Sequence, residues 1–287
     1  MPPRFDDRDG WIWLDGALLP WRDARTHVLA HGLHYGGSCF EGIRAYGGRP
    51  FALDAHLDRF ARSAAILGMP LPWTREALAD AVLGTLAANG LGAAYVRPVA
   101  WRDAGAMGVA SAGTSVQVAV AAWEWPPFLG ARGVRLLDNP WRRPDPETAP
   151  TEAKGAPSYA IGTLARDRAR AAGFDDALLL DGRGFLAEAS GANLFLRQGD
   201  LLLTPRTVSA LAGITRSVVI EMAKAEGLRV LEADLDPAWL DRADEVFLTG
   251  AAAEIVPAVE ALGRAWQPGP LAERLAARYQ ALVRAED

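Results

Sequence analysis

Pro150-Thr151-Glu152-Ala153-Lys154-Gly155-Ala156-Pro157-Ser158-Tyr159 holds one of only two lysines in a 287-residue chain that carries 30 lysines and arginines together. Chemistry that needs a primary amine, such as Schiff-base formation with a carbonyl cofactor, must therefore use Lys154 or Lys224. The spacing around Lys224 predicts an amphipathic helix from Ile214 to a stop at Gly227, with Ile214, Val218, Met222 and Ala225 on one face. Lys224 falls on the other face, within i,i+3 reach of Glu221, which is an ordinary solvated position. Lys154 sits differently. Prolines at 140, 144, 146, 150 and 157 exclude a regular helix through its segment, and the next helical pattern, 159–172, begins just after it. Position alone leaves Lys154 open between loop charge and nucleophile.

The rest of the composition narrows the class. Half of the residues are hydrophobic (50%) and 23% are charged, so a sizeable core is expected and disorder is not. The start of the chain is charged and has no apolar h-region, so no secretory signal is expected. No apolar run approaches the roughly 18 residues of a membrane span. A net charge of -5 without a sustained basic run argues against nucleic acid. The single cysteine, Cys39, excludes an internal disulfide and a cysteine-based metal cage. A cytoplasmic globular protein is expected.

Along the chain, 11–21 reads as two short strands about an Asp15-Gly16 turn, and 43–53 as a hairpin turning at Gly47-Gly48. Between them, 32–42 is a glycine-rich stretch. Asp54 is the expected N-cap of a helix to 67, and Thr74 of one to 88. Strands are expected at 95–102 and 115–123. The Pro- and Gly-bearing stretch from 126 reads as a connector. Beyond the Lys154 helix come a strand at 177–181, a turn at 182–184, a strand through Glu188 and a hairpin at 198–200. The helix from Ile214 follows, then a short helix at 237–242, a strand at 245–248 and a helix from Leu271. The mixture is α+β with two domains.

Several places suit ligand chemistry. Gly213 opens a helix whose free N–H groups and dipole favour an anion. The small residues Ala251, Ala252 and Ala253 let backbone approach a ligand closely after a strand. Glu188 ends a strand beside small residues, which suits an acid near a flat ligand. Arg59, Tyr95 and Arg97 supply further polar and anion-binding groups. His27, His31 and His34 lack carboxylate or thiol partners at convincing spacing, so no metal site is expected. Dinucleotide, P-loop and nucleophile-elbow signatures are missing.

Taken together, His31-Gly-Leu-His-Tyr-Gly-Gly-Ser-Cys-Phe-Glu-Gly-Ile-Arg44, His56-Leu-Asp-Arg59, Tyr95-Val-Arg-Pro98 and Pro150-Thr-Glu-Ala-Lys154 resemble branched-chain amino acid aminotransferases. So do Ala187-Glu-Ala-Ser-Gly-Ala-Asn193, Gly213-Ile-Thr-Arg216 and Asp244-Glu-Val-Phe-Leu-Thr-Gly250. These are fold-type IV pyridoxal-phosphate enzymes, and the resemblance runs over 11–260. It implies a D-amino acid aminotransferase-like fold with the active site between two domains. The expected division is a small α+β domain at 1–125, an interdomain loop at 126–137, and a larger α+β pseudo-barrel domain at 138–287 carrying the cofactor lysine.

The resemblance also implies roles. Lys154 would form the Schiff base with pyridoxal 5'-phosphate and shuttle a proton. Glu188 would pair with the pyridine nitrogen, and Tyr159 with the ring hydroxyl oxygen. Arg59, Gly213 and the amides of Ile214 and Thr215 would hold the phosphate, with Ala251 nearby. The Ala251 and Ala252 amides, helped by Tyr95, would bind the substrate carboxylate, and Arg97 the second carboxylate of glutamate. Tyr35, Phe40, Trp125 and Phe128 would wall an apolar pocket. Tyr35 and the Met107-Gly108-Val109 loop would reach in from a partner subunit, implying a homodimer or a higher homo-oligomer. The activity implied is ping-pong transamination of Leu, Ile and Val with 2-oxoglutarate; the alternative is a transaminase of D-amino acids or (R)-amines. Two departures bear on the pocket: Ala251 stands where the family commonly has threonine, and Pro157 is added before Tyr159.

Overall fold

The computed structural model describes residues 4–125 and 133–285. By packing, the chain forms two units, Met1–Pro126 with Ala153–Pro157, and Pro127–Glu152 with Ser158–Asp287. Two expectations are corrected. A strand begins at Val134, inside the stretch read as a connector. The lysine segment, expected in the larger unit, packs with the first one, for a reason that lies in its backbone hydrogen bonds described below. Phe128 lies outside the described residues.

The first unit contains β1 (Trp11–Leu14), β2 (Ala17–Pro20), a short α1 (His31–Tyr35), β3 (Ser38–Phe40), β4 (Ile43–Tyr46) and β5 (Arg49–Pro50). α2 (Leu53–Ile66), α3 (Arg75–Ala88), β6 (Ala94–Arg102) and β7 (Val116–Glu124) follow. Its sheet runs β2-β1-β7-β6-β4-β5, with β3 also on β6, and every pair is antiparallel. One sheet face is apolar. Phe60 and Leu57 of α2 and Val82 of α3 bury against Ile43, Val96 and Val118. Each such large side chain, fully removed from water, contributes about 1.5–3 kcal/mol of transfer free energy.

Two local expectations meet different fates here. Thr74 caps α3 as read, accepting from the Ala77 N–H at 3.2 Å. Asp54 does not cap α2: Ala52 holds the N-cap position with φ 52°, and Asp54 sits in the first turn, paired with Arg75 at 2.7 Å. The carboxylate favours the helix dipole from there without a capping bond. The glycine-rich 32–42 stretch carries α1 and β3, elements too short to leave a periodic pattern.

The second unit contains β8 (Val134–Arg142), α4 (Ser158–Ala171), β9 (Asp176–Leu180), β10 (Leu186–Ala189), β11 (Asn193–Gln198), β12 (Leu201–Pro205), α5 (Ile214–Ala225) and β13 (Arg229–Ala233). A 3-10 turn (Pro237–Arg242), β14 (Glu245–Gly250), β15 (Glu254–Ala261), β16 (Arg264–Ala265) and α6 (Pro270–Arg284) complete it. The sheet path is β10-β9-β8-β15-β14-β11-β12-β13, and a further β10–β11 pairing closes six strands into a ring. β8 and β9 are parallel, which requires a long crossover, and α4 makes it. Leu194, Leu196, Val246, Leu248 and Val256 belong to the main core of this unit.

α5 forms where the sequence places it, but its buried face is Thr215, Arg216, Val219, Ile220, Met222 and Ala223, while Ala225 is exposed. The predicted face is thus rotated toward Arg216, whose guanidinium reaches Thr204 Oγ1, the Pro205 carbonyl and Glu232. Three polar contacts let a buried arginine occupy a helix's inner face. Lys224 is exposed and pairs with Glu221 at 2.8 Å, as read.

Candidate active site

In the first unit the lysine loop is stitched to β3 and α2. The Phe40 N–H donates to the Lys154 carbonyl (3.2 Å), the Ala156 N–H to the Ser38 carbonyl (2.9 Å), and the Lys154 N–H to Ser63 Oγ (2.9 Å). Cys39 and Gly155 form an isolated antiparallel bridge. Ser63 is buried at 1% exposure, so this backbone bond is shielded from water. A proline-rich loop has no helix or ladder to satisfy its backbone, and borrowing β3 does so. The ammonium of Lys154 lies 4.9 Å from the Phe40 ring centroid, and Arg97 Cζ lies 4.4 Å from the same centroid. One aromatic ring thus faces two cations.

Beneath lies a buried ionic cluster. Glu41 is fully buried; Arg59 Nε donates to its Oε1 at 2.7 Å and Arg59 Nη2 to Oε2 at 2.8 Å. His56 Nδ1 donates to Oε2 at 2.7 Å, and the Gly42 N–H does so at 3.3 Å. Burial pushes the Glu41 carboxyl up, but the bonds and charges of Arg59 and His56 outweigh it and hold it at about 2. Burial lowers His56; Glu41 opposes this, and the charges of Arg59 and Lys154 add to the lowering. His56 is therefore a neutral donor at neutral pH.

Tyr95 is buried on β6, tilted against Trp123 and Trp125 at 5.3 and 5.1 Å between ring centroids. Its hydroxyl accepts from Arg97 Nη2 at 3.3 Å. A Cβ at residue 42 would fall 1.8 Å from that hydroxyl, so only glycine fits there. Tyr35, Met107 and Val109 are at the surface, 43%, 49% and 86% exposed. The three histidines raised as a metal possibility bond to backbone instead. His31 Nε2 donates to the Gly108 carbonyl, His34 Nε2 to that of Val28, and His27 Nδ1 accepts from the Leu29 N–H. Among the described residues, no group of three His, Cys, Asp or Glu is arranged to hold a metal.

The second unit carries Tyr159, Glu188, Gly213, Ile214, Thr215, Ala251 and Ala252. Every residue of β10 is buried, and Glu188 on it is 5% exposed. Arg143 Nε lies 3.0 Å from Glu188 Oε1; Asn193 Nδ2 and the Leu211 N–H donate to Oε2 at 3.2 and 3.3 Å. Arg143 is itself fixed, donating to the carbonyls of Ser209 and Ser158. Three donors, one of them cationic, offset the cost of burying this carboxylate.

Asn193 also donates to the Leu211 carbonyl at 2.8 Å, pinning the chain just before α5. A Cβ at 213 would fall 2.0 Å from Asn193 Oδ1, which reserves that position for glycine. Gly213 is the N-cap of α5 and offers no side-chain cap bond to the first-turn amides of Ile214 and Thr215, which as first-turn groups have no intrahelical acceptor. Tyr159 stands in the first turn of α4 and is half-buried. Ala251 and Ala252 form the turn between β14 and β15, which ends at Glu254 with φ 55°. Pro157 belongs to the first unit, close enough to Gly36 that a Cβ at 36 would lie 2.7 Å from its ring.

Sequence reading did not single out Arg143, Asn193, Glu41 or His56 as acting residues. Arg143 follows a strand as one of many arginines, and nothing local distinguishes it. Glu41 and His56 are fifteen residues apart and are joined only by folding.

Comparison with known proteins identifies the arrangement. The profile of the amino-transferase class IV family matches residues 38–261. The branched-chain-amino-acid aminotransferase of Pseudomonas aeruginosa is 38% identical over 288 residues, covering 96% of this chain and 94% of that one. That of Escherichia coli (strain K12) is 39% identical over 257 residues, covering 86% and 83%. The crystal structure of a branched-chain amino acid aminotransferase from Thermoproteus uzoniensis with norvaline superposes with a TM-score of 0.92 at 38% identity, covering 96% of this chain and 95% of that one. A further branched-chain amino acid aminotransferase, solved in complex with N-(5'-phosphopyridoxyl)-L-glutamate, superposes with a TM-score of 0.92 at 40% identity, covering 96% and 94%.

Proposed function

This chain belongs to the amino-transferase class IV family, and from that membership we propose that it exchanges amino groups between branched-chain L-amino acids and 2-oxoglutarate with pyridoxal 5'-phosphate as cofactor. The observation that carries the reading is the buried Glu188 carboxylate, paired with Arg143 and accepting from Asn193 and the Leu211 amide. Such a group suits a protonated pyridine nitrogen. The uncapped start of α5 suits a phosphate, and Lys154 is one of only two amines of its kind in the chain. The donor set fits the cofactor.

Bound pyridoxal phosphate supplies an electron sink for the charge left at the substrate Cα. Lys154 would supply the amine for the cofactor and the base that moves the proton at the substrate Cα. Glu188 would pair with the pyridine nitrogen, and Tyr159 with the ring oxygen. Arg59, Gly213, the amides of Ile214 and Thr215, and Ala251 would be the residues for the phosphate. Tyr95 and the Ala251 and Ala252 amides take the α-carboxylate; Arg97 takes the second carboxylate of glutamate. Phe40 and Trp125 would exclude water around an apolar side chain. The exposure of Tyr35, Met107 and Val109 supports a homodimer in which they complete the partner's site.

The test is a visible absorption spectrum of the purified protein. We expect a Schiff-base band that Lys154→Ala abolishes and that L-leucine bleaches. Bleaching by D-alanine or an (R)-amine alone would move the substrate class to the alternative. No band after adding pyridoxal phosphate would refute the cofactor assignment.

A further inference from the structure

The Glu41–His56–Arg59 cluster has no part in the chemistry assigned above beyond the arginine itself, yet burying a carboxylate and a guanidinium is costly, and an apolar core there would fold as well or better. Its geometry shows what it secures. A carboxylate offers about four lone-pair sites, and Glu41 receives four donors: Arg59 Nε on Oε1, and Arg59 Nη2, His56 Nδ1 and the Gly42 amide on Oε2. Two parallel N–H···O bonds at 2.7 and 2.8 Å fix both the position and the plane of the guanidinium. His56 fixes the carboxylate in turn, and its neutral ring adds no third charge beside Arg59 and Lys154. The Gly42 amide ties the cluster to a backbone already locked by its close approach to Tyr95.

We propose that Glu41 and His56 are positioning residues that preset Arg59 for a phosphate group, so that recognition of the phosphorylated cofactor rests on three side chains of this cluster. The inference builds on the reading of Arg59 as a phosphate ligand. Edge-on pairing to Glu41 turns the opposite edge of the guanidinium away from the carboxylate, and holds it there without the side-chain entropy an untethered arginine would lose on binding.

The experiment compares binding of pyridoxal 5'-phosphate and of pyridoxal, which lacks the phosphate, to full-length protein freed of cofactor. Glu41→Gln, His56→Gln and Arg59→Gln are measured alongside the parent by absorbance titration. Removing a partner that orients a ligand-binding side chain weakens ligand by about 10–100-fold at metal sites, and a loss of that order is expected for pyridoxal 5'-phosphate with Glu41→Gln. A smaller loss is expected with His56→Gln, and pyridoxal affinity should not change in either. Equal loss of both ligands, or no loss, would overturn the proposal, since a merely structural role does not discriminate them. If Glu41→Gln fails to fold, His56→Gln decides by the same criterion. Arg59→Gln separates the two readings: retained preference for the phosphorylated ligand would overturn the role of Arg59 and the proposal with it. Lost preference in Arg59→Gln with none lost in the other two would overturn the proposal alone.

Discussion

Each unit contains a glutamate and an arginine that are both buried and paired, Glu41 with Arg59 and Glu188 with Arg143, and the two pairs are built differently. Glu41 meets Arg59 edge-on through two bonds of 2.7 and 2.8 Å, with His56 adding a third at 2.7 Å. Glu188 meets Arg143 through one nitrogen at 3.0 Å, and its other donors, Asn193 and the Leu211 amide, stand at 3.2 and 3.3 Å. Arg143 is anchored by backbone carbonyls, whereas Arg59 is oriented by the carboxylate itself. In the first pair the acid serves the base; in the second the base serves the acid. The shorter contacts around Glu41 make it a clamp on Arg59, while those around Glu188 are longer.

The sharpest way to break this contrast is Glu41→Ala, which leaves a buried guanidinium without its counter-charge. Such losses cost about 3–5 kcal/mol, and a fall of that size in chemical denaturation is expected. Glu188→Ala should cost less stability, because Arg143 retains two carbonyl partners; equal losses would erase the distinction. Glu188→Gln should act on turnover. Removing one preorganised electrostatic partner costs about 10²–10³-fold in rate elsewhere, and steady-state assay with L-leucine should show a fall of that order with the fold intact.

Acid titration tests the clamp from another side. Both groups have folded values below their ordinary ones, so below 6.5 the unfolded chain binds a proton at His56 that the folded chain resists, and below 4.5 the same holds at Glu41 down to about 2. Stability contributed by these groups is present above those ordinary values and is lost as pH falls through the window. A melting temperature that is flat from neutrality to pH 4.5 would contradict the His56 part. The smallest effect belongs to the exposed pair of Lys224 and Glu221. Lys224→Ala should cost about 0.2–0.5 kcal/mol, with no change in the cofactor spectrum; a spectral change would mean that Lys154 is not the only amine involved.

Much of this is legible in the order of residues. Lys154 stands out by counting, Thr74 as a cap by its position before a periodic run, and α5 by its spacing. These signals are local: a scarce amine, a hydroxyl three residues from an amide, an apolar repeat. The buried face of α5 departs from its spacing because Arg216 reads as polar, while Thr204, Pro205 and Glu232 satisfy it inside. Asp54 has the right chemistry for a cap, but the left-handed Ala52 starts α2 earlier.

The sequence by itself determined which side chains are available: one candidate nucleophile, the acid on β10, the glycine before α5, and the family motifs that order them. Tertiary structure alone decided who serves whom. The backbone of Lys154 is pinned to β3 and Ser63, because backbone groups in a loop without secondary structure take partners wherever packing brings a strand. Glu41 finds His56 and Arg59 fifteen and eighteen residues on, and Arg143, just past β8, finds Glu188 on β10. A buried charge must be paired by whatever the fold places within about 3 Å, and that distance is set by packing, which no spacing along the chain encodes.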